Sequence, residues 1–104
     1  MRKVTRESID ALYAFRKYKS GNTKVVVVDG CRAVLSLHGT PLVKLTLGIG
    51  WQDTEITTGG YNTSTTKERL NGVPGVHVYH SKHQLYLNGK EWDGEWVAVE
   101  DWSE

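Results

Sequence analysis

From residue 24 onward the chain meets a turn-forming pair or cluster roughly every ten to twenty residues. They are Asp29-Gly30, His38-Gly39-Thr40-Pro41, Gly48-Ile49-Gly50, Asn71-Gly72, Asn88-Gly89 and Asp93-Gly94. Most of the segments between them are too short for a packed helix, and they bury apolar residues best as antiparallel strands. Val25, Val26, Val27 and Val28 form a continuous β-branched run that reads as a buried strand. Residues 31–37 give a second, with Ala33, Leu35 and Leu37 alternating with Arg32, Val34 and Ser36. Residues 42–47 and 51–57 give a third and a fourth. Residues 76–80 and 83–87 flank Ser81-Lys82, and residues 95–100 form a last strand. A two-residue loop at 81–82 places His80 opposite His83, Val78 opposite Leu85 and Val76 opposite Leu87. The other face of that hairpin then shows His77, Tyr79, Gln84 and Tyr86.

Two segments do not fit the strand pattern. Residues 5–20 read as an amphipathic helix with Ile9, Leu12 and Phe15 on one stripe. Thr5 or Ser8 caps it, and Gly21-Asn22 stops it. Residues 57–66 are a hydroxyl-rich loop whose one large apolar side chain is Tyr61. The loop runs into Thr65-Thr66-Lys67-Glu68, where Thr65 and Glu68 match a capping box, and Leu70 anchors the short helix that follows. The pattern predicts an α+β fold: an N-terminal helix and a short second helix packed on an antiparallel sheet of about six strands, in a single domain over residues 1–104.

The net charge of +1 hides a polarity. Residues 1–24 carry seven Lys/Arg against two acids, for +5, and residues 89–104 carry one Lys against six acids, for −5. The head and tail can pair within the fold or between two copies, and a homo-oligomer is expected. No apolar run reaches membrane-spanning length, and the N-terminus lacks a signal-peptide core, so no membrane partner is expected. With one cysteine, Cys31, the chain suits a reducing cytosol. Cys31 lies in an apolar strand pattern, which predicts a buried, inert thiol. The four tryptophans are Trp51, Trp92, Trp96 and Trp102, of which Trp51 and Trp96 are assigned to the core.

The segments Thr65-Thr66-Lys67-Glu68-Arg69-Leu70-Asn71-Gly72 and Tyr86-Leu87-Asn88-Gly89-Lys90-Glu91-Trp92-Asp93-Gly94-Glu95-Trp96 carry a resemblance. They resemble a set of small proteins of tailed bacteriophages, which share a Thr-Thr-Lys-Glu-Arg-Leu-Asn segment followed by Tyr-Leu-Asn-Gly-Lys-x-Trp-Asp-Gly. The match covers about residues 51–97. The resemblance implies a phage accessory protein in the bacterial host cytosol, and it carries over no catalytic residues.

Three constellations are candidates for function. Thr63, Ser64, Thr65, Thr66, Lys67 and Arg69 surround a helix start, where free amides and two cations suit an anionic ligand or partner. His77, Tyr79 and Tyr86 form a secondary face, and with the basic N-terminal region they offer a stacking surface for nucleic acid. His77, His80 and His83 invite zinc, but the hairpin register separates His77 from the other two unless His38 or a carboxylate joins, and no metal or cofactor is expected. Glu91, Asp93 and Glu95 read as a solvated polar hairpin, not as a catalytic pair. The expected function is therefore stoichiometric binding. The protein would interfere with a host or anti-phage defence component by capturing a protein or a phosphate-bearing ligand such as a signalling nucleotide. Nucleic-acid binding is the alternative, and a small enzyme is third.

Overall fold

The computed structural model describes residues 2–102, with side chains through residue 100. Helix α1 (Lys3–Tyr13) leads into strands β1 (Tyr18–Ser20), β2 (Thr23–Val27), β3 (Arg32–Leu37), β4 (Thr40–Gly48) and β5 (Trp51–Ile56). Helix α2 (Ser64–Leu70) follows, then β6 (Val78–Ser81), β7 (Gln84–Leu87), β8 (Lys90–Glu91), β9 (Val97–Ala98) and a 3₁₀ turn (Val99–Trp102). The strands form an antiparallel six-stranded sheet, ordered β1-β2-β3-β4-β5-β9, and a three-stranded sheet, β6-β7-β8. The architecture is α+β, with the N-terminal helix first, as its sequence pattern indicates.

The helix is shorter than its periodicity suggests. It ends in a Schellman motif: the Arg16 amide donates to the Ala11 carbonyl and the Phe15 amide to that of Leu12. Phe15 takes the left-handed conformation, φ 52°, where glycine is usual. Its ring rests against the core, half-buried, so packing offsets the local strain. Gly21, assigned above to the helix end, instead turns the chain between β1 and β2. Thr5 and Ser8 do not cap the helix. Its N-cap is Arg2, without a side-chain bond, and both hydroxyl residues are fully buried one turn further in.

The valine run is also one-sided. Val25 is buried, whereas Val26 and Val28 are exposed, because successive strand residues point to opposite faces. Val25, Ala33, Leu35, Val43, Leu45 and Ile56 share the covered face, on which α1 contributes Ile9 and Leu12. The pairing of β3 with β4 skips one residue, from Leu35↔Val43 to Ser36↔Pro41, so Leu42 is the extra residue of a β-bulge and turns inward. Trp92, not Trp51 or Trp96, is the tryptophan of the core; the other two are 55% and 36% exposed. The Trp102 side chain lies outside those described.

Arg69 joins these layers. Its Nη1 donates to Thr5 Oγ1 of α1 at 2.7 Å and its Nε to Thr23 Oγ1 of β2 at 3.1 Å. Burial holds this guanidinium below its ordinary pKa, with the charge of Arg2 acting in the same direction. Arg69→Ala is expected to destabilise the protein by about 2–3 kcal/mol, since it removes two buried bonds from a charged donor and takes from Thr23 Oγ1 its side-chain partner. In a domain of this size that lowers the melting midpoint by roughly ten degrees or more, measured by circular dichroism.

Candidate functional site

The residues at 63–69 separate once the chain folds. Thr63 is the N-cap of α2: its Oγ1 accepts from the Thr66 amide at 3.1 Å and lies 2.9 Å from Thr66 Oγ1. The predicted cap at Thr65 is thus displaced by two residues. Ser64 is exposed on the first turn. Lys67 Nζ donates to His80 Nδ1 at 2.9 Å, on the neighbouring three-stranded sheet. Arg69 points inward and belongs to the scaffold, where the sequence suggested an exposed charge. The reason is spacing: residues 66, 69 and 70 fall on the one face of α2 that is buried.

Thr63, Thr65 and Thr66 instead line a cleft of about 300 Å³. Its floor is Leu37 and the bulge residue Leu42; its wall is Tyr61, 59% exposed. Thr40 adds a fourth hydroxyl, and His38 closes one end. His38 and Gly39 make the two-residue turn between β3 and β4, with φ of 53° and 78°. The Tyr61 amide donates to the Thr58 carbonyl, which fixes the loop carrying the ring. No lysine or arginine is among the residues lining this cleft. Sequence reasoning missed Leu37, His38, Thr40 and Leu42, because only the fold brings this hairpin tip to the 57–66 loop. Tyr61 was visible as the one apolar interruption of that loop.

The secondary face does assemble. Tyr79 and Tyr86 are cross-strand partners, stacked at 5.3 Å with planes 12° apart, and His77 leans on Tyr79 at 5.0 Å. The turn lies one residue later than expected, so each cross-strand partner shifts by two: Val78 pairs with Leu87, His80 with Leu85 and Ser81 with Gln84. The loop is Lys82-His83, both at positive φ, 51° and 67°, as a primed hairpin turn requires. His80 and His83 are therefore not opposed. Among the described residues no three His, Cys, Asp or Glu side chains group as metal ligands. Cys31 is exposed in the turn before β3, where the Cys31 and Arg32 amides donate to Asp29 Oδ1. A strand pattern had placed it in the interior, but the strand begins one residue later.

The two sequence motifs turn out to hold the fold together. Asn71 pairs with both backbone groups of Val78, at 3.0 and 2.6 Å. Asn88 Oδ1 accepts from the His77 amide and its Nδ2 donates to the Gly75 carbonyl. Trp92 Nε1 donates to the Glu95 carbonyl. Gly94, φ 85°, accepts at its carbonyl from Thr57 Oγ1 at 2.6 Å and from the Thr58 amide at 3.0 Å. A Cβ there would overlap Thr58 Oγ1, so no other residue allows this approach. Asp93 accepts from the Glu95 amide and is part of the same turn.

Burial pushes the Glu68 carboxyl up, but bonds from the Thr5 hydroxyl and the Arg2 amide and the charge of Arg2 outweigh it, so its pKa lies below the ordinary 4.5. A carboxyl held lower in the folded state stabilises fully above its unfolded pKa and loses that contribution as the pH falls through the folded one. Glu68→Gln is therefore expected to flatten the loss of stability below pH 4.5 and to leave the neutral-pH slope unchanged, as read from denaturant midpoints against pH. Lys67→Ala, which removes one partly exposed partner, is expected to cost less than about 1 kcal/mol in the same assay.

Among the described residues no helix is long and apolar enough to cross a membrane. Comparison with curated proteins and with solved structures returns no match. The model of one family, described as Kyanoviridae Gp96 protein, matches residues 1–104. The chain therefore belongs to the Kyanoviridae Gp96 family of phage proteins.

Proposed function

We propose that this phage protein acts by stoichiometric binding, without catalysis, and that it captures a host or defence protein by seating one of that protein's aromatic side chains in the cleft beside Tyr61. The observation that carries the reading is the cleft's composition. Two buried leucines, an exposed tyrosine and four threonines line it, and of these threonines Thr63 and Thr66 bond to each other. An apolar cavity with a few polar groups at its mouth suits an uncharged ring whose edge accepts or donates hydrogen bonds. Its volume of about 300 Å³ is at the small end for a ligand site and is ample for one side chain. A phosphate-bearing ligand finds less support, because Lys67 and Arg69 are directed to His80, Thr5 and Thr23 and do not line the cleft. In the host cytosol, such capture would withdraw the partner from its normal contacts.

The second reading, nucleic-acid binding, draws on the stacked Tyr79–Tyr86 pair. Each ring already covers one face of the other, so fewer faces are open to bases than the sequence suggests. That mode requires affinity that falls steeply with salt.

N-acetyltyrosinamide is the probe for the cleft. Titrated into labelled protein, it is expected to shift the amides of Thr40, Tyr61, Thr63 and Thr65 with millimolar affinity, while inorganic phosphate at the same concentrations leaves them in place. Thr65→Trp fills the cleft and is expected to abolish the shifts with an unchanged melting curve. Shifts confined to residues 77–86, or a response to phosphate alone, contradict the proposal.

A further inference from the structure

The six-stranded sheet has a charge polarity of its own, to which the head contributes Lys19 and Lys24 and the middle of the chain Asp53 and Glu55. β1 and β9 are its two edges. Lys19 and Lys24 lie on β1 and β2, at one side. Asp53 and Glu55 lie on β5, and Asp93 and Glu95 precede β9, at the other. Three inter-strand steps separate Lys24 on β2 from Glu55 on β5, about 14 Å, too far for these two to pair within one copy.

The sheet face opposite α1 runs between these edges, and it carries exposed apolar groups. The exposed Val26 and the half-buried Val34 are cross-strand partners near its centre. Val28 is 54% exposed and Trp51 55%. Trp51 pairs with Gly48, where a Cβ would overlap the indole, so the ring lies against the strand backbone and is held there before any partner arrives. Trp96 lies beneath Lys44 Nζ, 4.2 Å from the ring centroid.

We propose that two copies of this chain join through these faces, about a two-fold axis parallel to the strands. That axis lays the basic β1–β2 side of one copy against the acidic β5–β9 side of the other and closes the valines and tryptophans between them. A two-fold interface must be complementary to itself. A face that is basic at one edge and acidic at the opposite edge, with valines and tryptophans between and its two central cations, Arg32 and Lys44, beside Asp29 and Glu55, meets that condition with no second protein. The cleft beside Tyr61 is a separate surface, so this interface stands or falls independently of the binding function proposed above.

The test is sedimentation of the whole protein from about 1 to about 100 µM at low and high salt. A dimer is expected whose dissociation constant rises with salt. Val34→Arg is expected to raise it at least about tenfold, with an unchanged melting curve; Trp51→Ser does the same if the arginine impairs folding. Lys24→Glu and Glu55→Lys are each expected to weaken self-association, and an equimolar mixture of the two to recover it as a heterodimer. A wild-type monomer in both salts overturns the proposal, whether or not the face binds another protein. So does a dimer indifferent to both face variants. Failure of the mixed charge variants to recover overturns the orientation that the strand order dictates.

Discussion

Everything in this molecule that lies beyond the six-stranded sheet depends on how a guanidinium is buried. Arg69 leaves water to reach Thr5 on the first helix and Thr23 on the second strand. Among the described residues no carboxylate bonds it directly: its partners are neutral hydroxyls, and Glu68 acts on it by charge alone. Such an arrangement holds because both acceptors are themselves fully enclosed, and because the Thr5 hydroxyl that accepts from Arg69 also bonds the Glu68 carboxylate. The consequence is directional. The arginine fixes where α2 sits, α2 fixes where the three-stranded sheet attaches through Asn71, and the turn of Gly94 onto Thr57 and Thr58 fixes the far end. The cleft exists because these fixed pieces leave a gap between them, not because a dedicated loop was built for it.

The fold was legible because its punctuation is local. Asn88-Gly89 and His38-Gly39 form the turns that their residue types imply, and the alternation in β3 gives its buried face directly. Two of the departures share one physical cause, which is left-handed backbone at residues other than glycine. Phe15 ends α1 early, and Lys82-His83 move the second hairpin by one position. Tertiary packing sets those conformations, and side-chain propensity carries no trace of it. The candidate site was legible only in part. Thr63, Thr65 and Thr66 do line a cavity, whereas its floor belongs to a hairpin more than twenty residues away in the sequence.

The two motif segments, around residues 65–72 and 86–96, have an instructive distribution. Arg69, Leu70, Asn71, Asn88, Trp92 and Gly94 all bond or pack within the fold. A segment distinctive enough to suggest a family can therefore be distinctive for architectural reasons. In this chain the surfaces open to partners lie mostly outside those segments: the wall of the cleft at Tyr61, and the uncovered sheet face with Trp51 and the valines.

The bulge at Leu42 makes the cleft and the sheet a matter of odd and even. One surplus residue separates the hairpin end of β4, which shapes the cavity, from the stretch beginning at Val43, which fills the core. Remove it and the alternation on one side must invert, sending Val43 and Leu45 to solvent or Thr40 and Pro41 to the opposite face. Lengthening the strand by one does the same, whereas a change of two preserves every orientation. Drift in this strand is thus quantised: substitutions can retune the floor of the cavity one side chain at a time, but single-residue insertions and deletions are closed to it.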